Sequence, residues 1–141
     1  MSSLTMGLLI QAALMGGGEL DYKQAYKLHQ ETGRPMVVLV GTDWCPGCQT
    51  MKQSTMPEVE RRGKLGKVHY SVINSDDDKV LAKELLEGNM IPQLIFFRET
   101  PSGWVRSRVI GPKSPEEVEE FIQKGLDAPS FELTSHVKVT H

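Results

Sequence analysis

Five consecutive apolar residues, Met36-Val37-Val38-Leu39-Val40, lead through Gly41-Thr42-Asp43 into the run Trp44-Cys45-Pro46-Gly47-Cys48. This junction constrains the fold more than any other stretch. A short, β-branched-rich apolar run bounded by Pro35 and Gly41 reads as a strand buried on both faces, and it is too short for a buried helix. A strand covered on both faces needs layers of helix on either side, so the chain is expected to be an α/β protein.

The two cysteines are the only ones in 141 residues, and they stand three positions apart. A disulfide-stapled scaffold spreads more cysteines through a smaller chain. A bridge between Cys45 and Cys48 would close too small a loop to constrain the unfolded chain much. The pair is therefore read as chemistry. Cys45 falls after a strand and ahead of a helix, whose first turn carries unpaired N–H groups and roughly half a positive charge. Such a place favours a thiolate and lowers a cysteine's pKa. Cys48, one turn further, is expected to be the more buried. Cys45 then acts as the nucleophile on a substrate disulfide, and Cys48 resolves the mixed disulfide. Pro46 suits a first helical position, where no N–H is needed. Gly47 leaves little bulk between the sulfurs, and Trp44 offers an apolar lip beside the exposed one. A Cys-x-x-Cys can also be half of a zinc site. Its other half here would be His136 and His141, far along the chain, and that reading stays open as the weaker one.

The rest of the chain alternates. Leu20 to Thr32 is helical, with Tyr22, Ala25, Tyr26 and His29 on one face and Gly33 and Pro35 as the stop. Gln49 to about Ser54 suits a helix that must end or kink at Pro57, where a second short helix begins. Lys67 to Asn74 alternates as a strand. Lys79 to Glu87 is helical, with Val80, Leu81 and Leu85 inward and Gly88 as the stop. Gln93 to Phe97 and Trp104 to Ile110 pair as a hairpin across Thr100-Pro101-Ser102-Gly103. Ser114, Pro115 and Glu117 announce a last helix through a cap, a first-turn proline and a capping box; Val118, Phe121, Ile122 and Leu126 form its apolar face. The order α-β-α-(α)-β-α-β-β-α implies a central mixed β-sheet with helices on both faces.

At its ends the chain is harder to place. Residues 1–19 read as a flexible leader or signal remnant: Met6 to Met15 has the length of a secretory core, but no basic residue precedes it and no cleavage-like site follows. Gly16-Gly17-Gly18 reads as a linker to a domain over residues 20–127. Residues 128–141 form a tail with some alternation at Phe131, Leu133, Val137 and Val139. Net charge is −2, with 39% hydrophobic and 24% charged residues, ordinary for a globular domain. That balance argues against nucleic acid or an anionic membrane as a partner. No stretch reaches the ~20 apolar residues of a membrane span.

These features resemble the thioredoxin superfamily. The resemblance covers about Leu20 to Leu126 and rests on Val37 to Cys48, on Ile91-Pro92-Gln93-Leu94-Ile95-Phe96-Phe97, and on Val109-Ile110-Gly111. The helix broken near Pro57 is similar to relatives of the C-terminal domain of DsbD, which are commonly exported and bacterial; this tips the expected compartment toward the periplasm or outside. The resemblance implies a thioredoxin fold and a protein disulfide oxidoreductase without a cofactor, here read as a monomer. Its partners would be protein thiols or disulfides and a redox partner protein. It implies a cis-proline at Pro92, with the Ile91 backbone free to pair with an incoming substrate strand, and places Gly111 near the site. Trp44, Pro46, Gly47, Ile91, Pro92 and Gly111 then form the substrate-binding set around Cys45 and Cys48. Two departures stand out. Thioredoxin's buried Asp, six residues before the first Cys, is Leu39 here, which removes a proton acceptor for the resolving cysteine. The Trp four residues before it is Gly41. A reductase is favoured over an oxidase or isomerase, and a binding module with little turnover is the alternative.

Overall fold

A computed structural model of the chain describes residues 19–101 and 103–128. The apolar stretch at Met6–Met15, the three glycines, Ser102 and the tail from Pro129 onward, including His136 and His141, lie outside the described residues.

The elements in chain order are α1 (Tyr22–Thr32), β1 (Met36–Gly41), α2 (Pro46–Thr50), a π-helical turn (Met51–Thr55), α3 (Met56–Arg61), a 3-10 turn (Lys64–Lys67), β2 (His69–Asn74), α4 (Lys79–Leu85), β3 (Gln93–Thr100), β4 (Gly103–Ile110) and α5 (Pro115–Asp127). The strands form one mixed sheet in the order β2-β1-β3-β4. β1 runs parallel to β2 and antiparallel to β3, and β3 and β4 form the expected hairpin.

All six residues of β1 are buried, and they divide by parity because strand side chains alternate between faces. Val37 and Leu39 join Leu94 and Phe96 of β3 under Met51, Met56 and Val59 and under Val118 and Ile122 of α5. Met36, Val38 and Val40 join Ile95 and Phe97 on the opposite face, under Ala25 of α1 and Ala82 and Leu85 of α4. The uninterrupted apolar run is thus the mark of a central strand with a helical layer on each side.

Several boundaries differ from the sequence expectation. Leu20 does not start α1; it bridges to Ser71 beside β2. The helix begins instead behind Asp21, which forms a full capping box with Gln24. Ser114 accepts the Glu117 N–H at the head of α5, the half of the expected box that a cap worth about 1 kcal/mol requires. The segment 64–67 folds into a 3-10 turn, so β2 starts at His69 rather than Lys67. α4 stops at Leu85, two residues before the expected Glu87, and Leu86 turns extended ahead of Gly88. Val80, expected inward, is 74% exposed; Ala82 takes the core position beside Leu85. Tyr26 is also partly exposed and stacks on Trp104 at 6.0 Å.

The helix after the cysteines is continuous from Pro46 to Arg61, not two pieces. Pro57 can donate no N–H and its ring would clash with the preceding turn. The chain absorbs this with a π turn: the Met56 N–H reaches back to the Met51 carbonyl, five residues away. Such an insertion accommodates a proline without ending the helix.

Candidate active site

β1 ends at Gly41 and the next helical turn starts at Pro46, with Cys45 as its N-cap. Cys45 has extended backbone, and its sulfur accepts the Cys48 N–H at 3.3 Å. The local sequence dictates this: Pro46 has its ring at the first helical position, where its missing N–H costs nothing. Both cysteines are free, with Cys45 8% and Cys48 4% exposed. Negative charge on Cys45 would meet the N-terminal N–H groups of a helical run sixteen residues long, Pro46 to Arg61. Burial pushes the Cys48 thiol up to about 11; its hydrogen bond with Cys45 adds to the rise, and the Thr42 backbone N–H pulls the other way. The pair is therefore asymmetric, with Cys48 held as a thiol at neutral pH.

On the other side of Cys45 stands the loop before β3. The Ile91–Pro92 peptide bond is cis, and the Cys45 thiol points to the Ile91 carbonyl at 3.9 Å. The Gly111 N–H donates to the Pro92 carbonyl at 2.8 Å, and Gly111 has a φ of +89°, a conformation that suits glycine. Lys113 is tied to the helix by its N–H on the Met51 sulfur and its carbonyl on Thr55 Oγ1. Trp44 is 70% exposed, its indole N–H bonded to Asp76 at 2.9 Å. Met90, across the loop, is 68% exposed. The structure thus brings Trp44, Pro46, Gly47, Ile91, Pro92 and Gly111 around the two cysteines.

Gly47 sits differently from expectation. Its smallness serves a contact outside the cysteine pair. A Cβ there would lie 3.3 Å from Pro92 Cδ and 3.3 Å from Pro112 Cδ, so its smallness lets two proline rings close on the helix. Gly41 is the glycine that makes room for sulfur: a Cβ on it would stand 2.7 Å from Cys48 Sγ and 2.9 Å from Cys48 Cβ. Gly41→Ala should cost about 1–3 kcal/mol of stability by overpacking, measured by urea unfolding. Cys48→Ala takes away the nearer contact, so the double variant should recover part of that loss. Strictly additive losses would show that Gly41 is not there to admit Cys48.

Gln93 does more than open β3. It is fully buried, and its amide makes four hydrogen bonds: Nε2 donates to the Glu87 and Met90 carbonyls, and Oε1 accepts from the Glu87 N–H and from Arg108. This satisfies the whole amide and latches the loop that presents Ile91 and Pro92. A polar residue opening an otherwise apolar QLIFF run was the available signal. Pro112, Thr42 and Asp76 left no comparable trace in the sequence. Among the described residues no three His, Cys, Asp or Glu side chains gather as metal ligands.

A buried central strand delivering two reduced cysteines to the head of a helix, opposite a cis-proline loop, defines a thioredoxin-fold protein with a paired-thiol site. A family model described as the thioredoxin-like domain matches residues 22–126, and the chain belongs to that family. A thioredoxin from Thermus thermophilus superposes with a TM-score of 0.66 at 22% identity, over 86% of this chain and 95% of that one. Trxlp from Edwardsiella tarda gives 0.57 at 25% identity, over 74% and 96%. The thioredoxin of Trichomonas vaginalis gives 0.59 at 17% identity, over 77% and 94%. No protein with a curated description matches the chain.

Proposed function

We propose that this protein is a thiol–disulfide oxidoreductase that exchanges disulfides with protein substrates through Cys45 and Cys48, working as a reductase. The observation that supports this most is the asymmetry of the pair. Cys45 caps a helix and faces an open backbone carbonyl at Ile91, whereas Cys48 sits deeper and stays protonated. The Cys45 thiolate attacks one sulfur of a substrate disulfide; a Cys45–substrate bond forms and the other substrate sulfur leaves as a thiolate. Cys48 then loses its proton and attacks Cys45, and the second substrate sulfur leaves. The protein ends as the Cys45–Cys48 disulfide and the substrate as a dithiol. Electrons return from a partner dithiol protein by the reverse sequence.

Trp44 and Met90 supply apolar surface flanking the reacting sulfur, and the Ile91 backbone offers pairing to an extended substrate segment. The helix, unbroken across Pro57, lends no support to a place near the C-terminal domain of DsbD; export from the cytoplasm remains part of the proposal. Cell fractionation would test the latter; recovery in the cytoplasm alone would discard it. Among the described residues no helix is long and apolar enough to cross a membrane.

The deciding experiment is insulin reduction by dithiothreitol. The wild-type protein should accelerate precipitation of the insulin B chain, and Cys45→Ser should return the rate to that of dithiothreitol alone. Equal rates with and without the wild-type protein would overturn the proposal.

A further inference from the structure

Cys48 poses a problem that Cys45 does not. It must give up a proton before it can attack, and Leu39, 2% exposed on β1 and lining the same cleft, has no group to take it. The structure holds a small cleft on the Cys48 side of the motif, about 20 Å³, bounded by Leu39, Thr42, Asp43, Cys48, Lys52 and Asn74. That is room for roughly one water. One observation puts an unsatisfied polar group on this otherwise mostly apolar lining, and a second places an acidic residue at its solvent side. Thr42 is 7% exposed, and its hydroxyl has no hydrogen-bond partner, although buried polar groups are ordinarily satisfied. Asp43 is exposed, and its backbone carbonyl is held by the Gln49 side-chain amide. The charged groups on the cleft are Asp43 from the loop and Lys52 from the π turn; β1 and β2 line it with uncharged side chains.

We propose that Cys48 is deprotonated through this cleft, by a water held on the Thr42 hydroxyl with the Asp43 carboxylate as the final proton acceptor. The inference rests on the oxidoreductase reading above. When Cys45 carries a substrate sulfur, the Cys48 S–H gives its proton to the water, which passes one to Asp43. The freed electron pair on Cys48 forms the bond to Cys45, and the substrate leaves as a thiolate that later takes a proton from solvent. Lys52, at the cleft's rim, offers positive charge to the transient Cys48 thiolate. Asp43 thus does from the loop what Leu39 cannot do from the strand.

The test is stopped-flow reaction of the reduced protein with 5,5′-dithiobis(2-nitrobenzoate). The first equivalent of thionitrobenzoate reports attack by Cys45 and the second reports displacement by Cys48. In the wild type the second phase should vary little between pH 6 and 9, because the proton leaves as the bond forms. Asp43→Asn should slow it about tenfold at pH 7 and make it climb steeply with pH, so that the gap closes toward pH 9. Thr42→Val, which keeps the backbone N–H on Cys48, should slow it in the same direction. A second phase unchanged in Asp43→Asn, or slowed by the same factor at every pH, overturns the cleft route. A wild type that never releases the second equivalent overturns the oxidoreductase reading instead, and the route falls with it.

Discussion

Cys48→Ser should turn the protein into a trap. Cys45 would still attack a substrate disulfide and become covalently joined to it, but a serine hydroxyl cannot displace sulfur from a disulfide at neutral pH. Insulin reduction should fall to the rate of dithiothreitol alone. At the same time a protein–substrate adduct should accumulate toward one equivalent, seen by non-reducing electrophoresis and released by dithiothreitol. Cys45→Ser should give no adduct, because the remaining thiol is the deeper of two buried ones and burial pushes it up to about 11. The contrast is large because the two sulfurs share a helical turn yet only one meets the Ile91 carbonyl. If both serine variants captured substrate equally, the division of roles between Cys45 and Cys48 would be wrong.

Phe96→Ala should be the most damaging substitution outside the site. Phe96 is fully buried in the centre of β3 and meets Phe121 edge-on at 6.3 Å. Its ring also fills the space left by Gly125 of α5, where a Cβ would stand 2.7 Å from ring atoms. Truncation removes the largest side chain that the sheet packs against the last helix and leaves a cavity that a glycine on the facing helix cannot fill. The expected loss is about 3–5 kcal/mol, against a total of about 5–15 kcal/mol for a domain of this kind. The urea midpoint should drop accordingly; a change below about 1 kcal/mol would mean that the ring does not carry the sheet–helix contact. Gly125→Ala probes the same junction from the helix, since the added methyl has no room against the ring.

The family was legible because its marks are local. An apolar run of β-branched residues this short reads as a strand covered on both faces, and Cys45-Pro46-Gly47-Cys48 behind it reads as the head of a helix. Ser114 and Pro115 start the last helix for reasons internal to one turn. Each of these follows from spacing over a few residues. The errors share the opposite property. Val80 and Ala82 both fit a helix of the right period, and which one faces inward depends on how α4 lies across the sheet. Pro57 reads as a helix end until Met56 finds the Met51 carbonyl and a π turn carries the chain past it.

The site divides along the same line. That two cysteines would share the head of a helix was written in their spacing, as was the asymmetry between an outer and an inner sulfur. That Gly41 clears the space for Cys48, that Gly47 lets Pro92 and Pro112 close in, and that Gln93 latches the Ile91–Pro92 loop are contacts between residues separated along the chain or set by strand-to-helix geometry. The order of residues determined which chemistry the chain carries, because pairing and capping act over one turn. Only the packed sheet decided which side chains surround that chemistry, because close approach between distant segments exists only once the core has formed.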